Sequence, residues 1–204
     1  MRTLELFAGT QSFTKGIKRS DPDAVCITVD QSIRYRPTIC TNIMEWDYRS
    51  YPTGYFDRIW ASPPCQQYSI AKTRGVRDLE GADALVRKAF EIIDYFQPSS
   101  WIIENVGTGL LVQRMETIRP GITFTLADYC AYGKSVRKRT AFWCNRPLTL
   151  GTCQGIGQCP SMDGRRHTDS VGNGRYAKEE IVGDRFAHRN SIPPTLIDDM
   201  LRQL

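Results

Sequence analysis

Residues 4 to 10 read LELFAGT, a run of apolar side chains that ends in a glycine turn. This pattern predicts a strand from Leu4 to Ala8, and the next segment predicts a helix from Ser12 to Arg19. In open α/β sheets, ligands bind beyond the carboxyl ends of the strands, where a glycine such as Gly9 lets the backbone approach them. A strand, a glycine turn and a helix therefore indicate a nucleotide-like binding site, although many strand-to-helix turns contain one glycine.

Further apolar runs alternate with longer amphipathic segments along the chain. Strands separated by helices predict one α/β domain, with a mostly parallel sheet and helices on both faces. From residue 145 to about residue 184 the chain is rich in Gly, Cys, Arg and Asp, which predicts an irregular insertion. The expected strands are Val25–Val29, Asp57–Ala61, Trp101–Ile103, Ile122–Ala127 and Ala141–Trp143, and the further helices are Gly81–Phe96 and Pro194–Leu204.

Composition narrows the class of protein. The 204 residues suffice for one good-sized domain, and 41% hydrophobic with 24% charged residues is typical of a packed globular protein. No apolar run is long enough for a membrane span, and the N-terminal residues lack the pattern of a secretion signal, so we expect a cytoplasmic protein without a membrane partner. Seven cysteines in such a compartment favour metal binding or catalysis over disulfides, and the formal charge of +5 is compatible with a polyanionic partner without requiring one.

Residues 60 to 69 read WASPPCQQYS and place one cysteine in a rigid turn after a strand. Pro63 and Pro64 fix the backbone and remove amide donors, and a nearby cation or helix N-terminus would favour the Cys65 thiolate. Packing, metal binding and nucleophilic attack are all compatible with this cysteine taken alone.

Two acids and a basic run lie at other strand ends. Asp30 follows the second strand, where a carboxylate can accept both hydroxyls of a ribose or simply be solvated. Glu104 follows two apolar residues, so partial burial would raise its pKa and suit proton donation, although acids at such places also cap helices. The run at 132–140, YGKSVRKRT, is either a solvated face or a grip for a phosphate or a base.

The order of these motifs resembles that of the DNA (cytosine-5) methyltransferases. The Pro-Cys-Gln turn at 64–66, the Glu-Asn-Val strand end at 104–106 and the Arg-x-Arg pattern at 137–139 carry the resemblance, and the segment 189–194, RNSIPP, is similar to the closing motif. It covers residues 3–143 and 189–204. Typical members have a long target-recognition domain between the last two motifs, so this chain looks like a compact, phage-like or orphan form with a reduced target-recognition region.

This resemblance implies a Rossmann-like methyltransferase fold and S-adenosylmethionine as cofactor. Thr10 stands near positions where the family's first motif has further glycines, so the methionine end of the pocket is expected to differ. Asp30 matches the acid that binds the cofactor ribose, and Asn42 matches an aspartate beside the adenine. The cofactor-binding residues that the resemblance implies are Phe7, Gly9, Thr10, Asp30, Gln31, Asn42, Ile43, Pro63, Asn190 and Ser191.

The resemblance also implies a mechanism. Cys65 would attack C6 of cytosine, which makes C5 able to accept a methyl group. Glu104 would hydrogen-bond N3 and the amino group. Arg139 is the preferred residue to hold the base and backbone, with Arg137 beside it, although the register could instead run through Lys138. The cytosine must be flipped out of a duplex or supplied single-stranded.

We expect double- or single-stranded DNA as the partner. Gln66 and Ser69 match the start of a mobile catalytic loop, which continues through Lys72, Arg74 and Arg77. Basic residues in the insertion, Arg165, Arg166, Arg175 and Lys178, could face DNA. The expected organisation is a catalytic core at 1–143, a Cys/Arg/Gly-rich insertion at 144–188 in place of a recognition domain, and a segment at 189–204 that returns to the core.

The insertion also suggests a structural zinc ion. Cys144, Cys153, Cys159 and His167 lie in a stretch poor in apolar residues, and a tetrahedral zinc would stabilise a segment that cannot build its own core. The spacing is not that of a standard zinc finger, Cys144 could belong to the preceding strand, and free thiols in an ordered loop are the alternative.

Two other functions are compatible with the sequence. One is a cytosine-5 methyltransferase of RNA, and the other is a non-catalytic DNA-binding or partner-dependent subunit with the same fold. Because the recognition region is short, sequence readout is abbreviated, absent, or supplied by a specificity partner or a second copy of the chain. A bacterial cell or a phage-infected host is the expected setting.

Overall fold

The computed structural model describes residues 1–169 and 190–204, which form a sheet of seven strands flanked by helices. The strands are β1 (Arg2–Leu6), β2 (Val25–Asp30), β3 (Ile39–Cys40), β4 (Arg58–Ala61), β5 (Ser100–Val106), β6 (Phe124–Asp128) and β7 (Arg139–Cys144), with a separate hairpin of β8 (Met162–Asp163) and β9 (Arg166–His167). The helices are α1 (Ser12–Ser20), α2 (Leu79–Phe96), α3 (Leu111–Ile118) and α4 (Pro194–Gln203).

The sheet is mostly parallel. After β3, the next strand in the chain joins the sheet on the opposite side of β1. The strand order of the sheet is β3-β2-β1-β4-β5-β7-β6. The pairs among β1 to β5 are parallel, and β7 is antiparallel to both β5 and β6. The chain builds outward from β1 through β2 to β3 and then crosses to β4 on the other side. A crevice at the carboxyl ends of β1 and β4 follows from this topology, and it is where open α/β sheets bind ligands.

Alternate side chains of the central strands enter two separate apolar layers. On β4, Ile59 and Ala61 pack in the layer that contains α2 and α3, whereas Trp60 packs in the layer that contains α1 and α4. Phe13 of α1 stacks on Trp60 with ring centroids 5.2 Å apart. Since successive strand residues point to opposite faces, this partition places helices on both faces of the sheet, as the sequence predicts.

Most predicted elements are present, with shifted ends. β1 ends at Leu6 rather than Ala8 because Phe7 has a positive φ of 54° and turns the chain out of the sheet. Helix α2 begins at Leu79, two residues before the predicted start, because the Asp78 carboxylate accepts the Gly81 N–H at 2.8 Å and caps the helix. Three elements were not predicted: β3, α3 and the β8–β9 hairpin.

Within residues 1–169 and 190–204, no helix combines the length and the hydropathy that a membrane crossing requires.

Candidate active site

The turn between β1 and α1 has an unusual backbone that opens the crevice. Phe7, Gly9 and Gln11 all have positive φ angles, of 54°, 43° and 56°. The Asp30 carboxylate, at the end of β2, accepts the Gly9 N–H at 2.8 Å and the Ser32 N–H at 2.7 Å. Asp30 therefore orders the glycine turn and still has lone pairs that face the crevice. This supports a binding role for both residues.

The crevice is an open cavity of about 350 Å³, within the usual size for small-molecule sites. The structure brings together nearly all of the residues implied as cofactor-binding. Those lining the cavity are Phe7, Gly9, Thr10, Asp30, Gln31, Asn42, Ile43, Pro63 and Asn190. Ser191 is not among the lining residues, and its Oγ lies 3.3 Å from Lys134 Nζ.

Glu5 is a buried acid at the floor of this cavity, and the sequence analysis did not select it. Its two carboxylate oxygens accept the N–H groups of Phe13 and Thr14, in the first turn of α1, at 3.2 and 2.9 Å. Burial raises the pKa of Glu5 to about 7, although these hydrogen bonds oppose the rise. A cationic ligand in the cavity would favour its ionised form.

The Cys65 turn is held by hydrogen bonds to its backbone carbonyls on both sides of the cysteine. The Tyr68 and Ser69 N–H groups donate to the Cys65 carbonyl at 3.0 and 2.8 Å. The buried Asn105 side chain donates to the Pro63 carbonyl at 2.9 Å and so joins the turn to the end of β5. The thiol is partly buried at the cavity wall.

A buried ion pair supports the same turn from below. Tyr68, which is fully buried, donates its hydroxyl to Asp83 of α2 at 2.8 Å. Arg114 of α3 also donates to Asp83, with its Nε 2.9 Å from Oδ2. Burial opposes ionisation of Asp83, but the hydrogen bonds from Arg114 and Tyr68 outweigh it and lower the pKa of this carboxyl. The turn that carries Cys65 is therefore fixed to two helices.

Three ionisable side chains line the cavity together: Cys65 in the turn after β4, Glu104 of β5, and Lys138 just before β7. Burial raises the pKa of the Cys65 thiol, the Lys138 ammonium opposes this rise, and the Glu104 carboxylate adds to it. Burial likewise opposes the charge of Lys138, but Tyr129, Glu104 and Cys65 raise the pKa of its ammonium, which stays protonated. Lys138 Nζ also lies 5.0 Å from the centroid of the Tyr129 ring. The cavity therefore brings the Cys65 thiol near the Lys138 ammonium and the Glu104 carboxyl group.

Arg139 and Arg137, which were expected to hold the substrate base, do not line the cavity in this structure. Both guanidinium groups turn away from the cavity and bind the buried Asp128, with Arg139 Nη2 at 2.8 Å and Arg137 Nε at 3.3 Å. Alternate residues of an extended chain point to opposite sides, so Arg137 and Arg139 share one side and Lys138 takes the other. The cation that enters the site is therefore Lys138.

The residues expected to contact DNA fall into three groups in the part of the chain that the structure describes. Gln66 lines the cavity, whereas the polar groups of Ser69 and Lys72 bond within their own loop. Lys72 donates to Gln67 Oε1 at 2.6 Å and to the Val76 carbonyl at 3.0 Å, so its charge stabilises the loop. Arg74, Arg165 and Arg166 are exposed. Arg175, Lys178 and Arg189 lie outside the described residues.

Four side chains from the insertion and the sheet edge form a compact thiol–imidazole cluster. Their ligand atoms all lie within 4.8 Å of one another, and the residues are Cys130, Cys153, Cys159 and His167. Cys144, expected as the fourth member, is not among them. It ends β7 and pairs with Ile102 at the start of β5, whereas Arg139 at the start of β7 pairs with Asp128, two residues before Cys130. The length of β7 therefore separates Cys144 from the cluster.

Besides Glu5, sequence reasoning did not select three residues of these sites: Asn105, Lys138 and Cys130. Asn105 enters the sequence prediction only through the Glu-Asn-Val motif. An amide that follows an acid at a strand end can donate a hydrogen bond to the turn after a neighbouring strand, as Asn105 does to the Pro63 carbonyl. Lys138 is only an alternative to Arg137 and Arg139 in the sequence, because alternation along a strand does not show which of its two sides faces the cavity. Cys130 is distant in sequence from the other thiols because β7 intervenes.

Known proteins are similar to this chain in sequence. A family model described as C-5 cytosine-specific DNA methylase matches residues 1–135. A protein of Frog virus 3 (isolate Goorha), named "Probable DNA (cytosine-5)-methyltransferase", is 34% identical over 225 residues, covering 98% of this chain and 99% of the viral protein. The Type II methyltransferase M.AgeI of Thalassovita gelatinovora is 28% identical over 174 residues, covering 70% of this chain and 38% of that protein.

The fold is also similar to that of solved structures. The Entamoeba histolytica methyltransferase EhMeth gives a TM-score of 0.55 at 17% identity, over 74% of this chain and 56% of the other. At this identity the likeness concerns the fold alone, which is that of the methyltransferases. The family model and the viral relative each establish the family of this chain. The chain therefore belongs to the C-5 cytosine-specific DNA methylase family, that is, to the DNA (cytosine-5)-methyltransferases.

Proposed function

We propose that this enzyme transfers a methyl group from S-adenosylmethionine to C5 of cytosine in DNA, through a covalent bond between Cys65 and C6. The observation that carries the proposal is the cavity that Cys65, Glu104 and Lys138 share with the cofactor-binding residues. Membership in the family supports the reaction class, and this geometry supports the choice of residues.

The cavity suits S-adenosylmethionine chemically. Asp30 offers a carboxylate for ribose hydroxyls, and Asn42 offers an amide near the apolar Ile43 for an adenine. Glu5 offers a carboxylate whose burial is best compensated by a cation such as a sulfonium. When bound, this cofactor supplies an electrophilic methyl group.

Cys65 acts as the nucleophile. Its thiolate adds to C6 of cytosine, and the new S–C6 bond makes C5 electron-rich enough to accept a methyl group. Loss of the C5 proton then re-forms the C5–C6 double bond and expels the thiolate. The Lys138 ammonium favours the thiolate against the effect of burial.

Glu104 and Lys138 stabilise the base during this addition. Addition at C6 places negative charge on the ring, chiefly at N3 and O2. Glu104 hydrogen-bonds N3 and the amino group, while the Lys138 ammonium also lines the cavity and compensates the remaining charge. Lys138 thus takes the role that the resemblance gave to an arginine.

The substrate base must leave its stack to reach Cys65. A thiol at a cavity wall cannot contact C6 inside a duplex, so the enzyme flips the cytosine out or uses an unpaired one. Exposed Arg74, Arg165 and Arg166 are candidates for phosphate contacts on either form of DNA. The working compartment is the cytoplasm of a bacterium or of an infected host cell, where such DNA is present.

Methyl transfer from labelled S-adenosylmethionine tests the proposal. Mixed-sequence DNA, single- and double-stranded, and RNA are offered separately, and the methylated bases are read at single-base resolution. We expect 5-methylcytosine in DNA with the wild-type chain and with Cys144→Ser, and none with Cys65→Ala. Label in RNA alone would favour an RNA enzyme. No label in any nucleic acid, with equal DNA binding by wild type and Cys65→Ala, would favour a non-catalytic binding subunit.

A further inference from the structure

The cluster of Cys130, Cys153, Cys159 and His167 lies outside the catalytic cavity and has no part in the chemistry above. Its members come from three separate segments: the turn after β6, the loop at 153–159 and strand β9. Cys130 and Cys159 are buried, and Cys153 and His167 are partly buried. Three thiols and an imidazole that converge in this way need either a disulfide, a cation or a shared set of weak hydrogen bonds.

The distances in the cluster match those around a tetrahedral metal ion. His167 Nε2 lies 3.4 Å from Cys153 Sγ and 3.5 Å from Cys159 Sγ. With Zn–S bonds of about 2.3 Å and a Zn–N bond of about 2.05 Å, tetrahedral angles place sulfur and nitrogen about 3.5 Å apart. The thiols are unpaired in the structure, so the cluster is not a disulfide.

We propose that Cys130, Cys153, Cys159 and His167 bind one zinc ion as a closed structural site. Soft thiolates with one imidazole are a donor set that selects zinc, and four protein ligands leave no open position for a substrate. The site joins the insertion to the catalytic sheet, because Cys130 follows β6 directly and the other three ligands belong to the insertion.

The insertion needs such a link because it has almost no core. Between residues 145 and 169, Leu148 and Cys159 are the buried apolar residues. Polar contacts add some support, since Ser161 Oγ donates to the Lys134 carbonyl at 2.8 Å. A metal site that forms only in the folded chain contributes its binding free energy to folding, which compensates for the small core.

The zinc site also adjoins the cation of the active site. The Cys153 N–H donates to Asp128 at 2.9 Å, and the same carboxylate holds Arg139 and Arg137. Tyr129, between Asp128 and Cys130, donates its N–H to the Lys138 carbonyl at 3.2 Å. Metal binding therefore orders the segment against which Lys138 is placed.

Metal analysis tests the site without any measurement of activity. The full chain is purified without chelator under reducing conditions, and its zinc content is measured by elemental analysis. We expect about one zinc per chain in the wild type and in Cys144→Ser, and a loss of about tenfold in Cys130→Ser. Equal loss from Cys144→Ser and Cys130→Ser, or wild-type protein with almost no zinc, would overturn the proposal.

Cobalt substitution keeps the test decisive if Cys130→Ser does not fold. Zinc is exchanged for Co²⁺ in the wild-type chain, and the visible d–d absorption together with the thiolate-to-cobalt charge-transfer bands is recorded. We expect the spectrum of a tetrahedral site with three thiolates. An octahedral spectrum, no charge-transfer bands, or a disulfide among these cysteines in protein kept under reducing conditions would contradict the site.

Discussion

Two cysteine-bearing segments lie at the same edge of the sheet and are held in different ways. The turn of Cys65 is fixed by backbone hydrogen bonds and by the buried Asp83, which binds Tyr68 and Arg114. The insertion at 145–169 has few buried apolar side chains and converges on the thiol–imidazole cluster. In the two proposals above, a turn that the core already supports leaves its thiol available for chemistry, whereas a segment with little core of its own is stabilised through its thiols.

The largest expected effect comes from Cys65, the proposed nucleophile. Cys65→Ala removes the proposed nucleophile and keeps the backbone carbonyl that accepts the hydrogen bonds of the turn, so methyl transfer should fall by at least about 10³-fold with little change in thermal stability. Labelled methyl transfer and thermal unfolding measure the two quantities. A variant that unfolds much earlier than the wild type would show that this cysteine, like those of the cluster, is structural.

The support beneath the Cys65 turn should be the next most sensitive feature. Asp83→Ala leaves Arg114 and the buried Tyr68 hydroxyl without their acceptor, and we expect a loss of about 3 kcal/mol in the free energy of unfolding. Urea denaturation measures this loss. The matched control is Asp94→Ala, whose pair with Arg119 is exposed and should contribute less than about 1 kcal/mol. Equal effects of the two changes would contradict the role of the buried pair.

The buried acid Glu5 should make the free energy of unfolding depend on pH. Its pKa is about 7 in the folded chain and near its ordinary value of 4.5 when unfolded, so between these values only the folded chain holds the proton. Stability is then full below pH 4.5 and falls as the pH rises to 7, by about 3 kcal/mol at 1.36 kcal/mol per pKa unit.

Urea denaturation at several pH values measures this dependence in the wild type and in Glu5→Gln. The amide does not ionise, so the variant should lose most of the slope between pH 4.5 and 7. A slope that is unchanged in Glu5→Gln would assign the dependence to other groups.

Lys138 should give the smallest of these effects. Lys138→Gln removes the cation that opposes the rise in the Cys65 pKa, so half-maximal alkylation of this thiol by iodoacetamide should move to higher pH. Methyl transfer at neutral pH should fall by about 10- to 100-fold. Arg137→Gln is the control, since its guanidinium binds Asp128 on the other side of the strand. If Arg137→Gln moved the alkylation profile and Lys138→Gln did not, the assignment of Lys138 would be wrong.

The sequence was informative where local pattern and motif agree. Period-two and helical spacing placed most strands and helices, and the motif order located Cys65, Glu104 and the cofactor edge in one cavity. β3 was missed because two residues are too few for a periodic signal, and α3 because it has only eight residues and begins after Leu110 without a capping side chain. Strand ends were uncertain where backbone angles decide them, as at Phe7.

The errors in the site concern side chains whose direction depends on the fold. Arg139 and Lys138 are adjacent, and only the sheet determines which of them faces the cavity. Cys144 and Cys130 differ in the same way, because β7 carries one to the far end of the sheet while Cys130 stays at the functional edge. Spacing along the sequence therefore does not show which residues an antiparallel strand such as β7 separates in space.

The most direct measurement of the central claim is a trapped complex with DNA that carries 5-fluorocytosine. Fluorine at C5 does not leave as a proton does, so the step that expels Cys65 is blocked after methyl transfer. The account predicts a complex that survives denaturation, with the mass of chain, DNA and one methyl group, and with the DNA attached to the peptide that contains Cys65. Methylation of ordinary DNA without any trapped complex, or attachment at another cysteine, would contradict it.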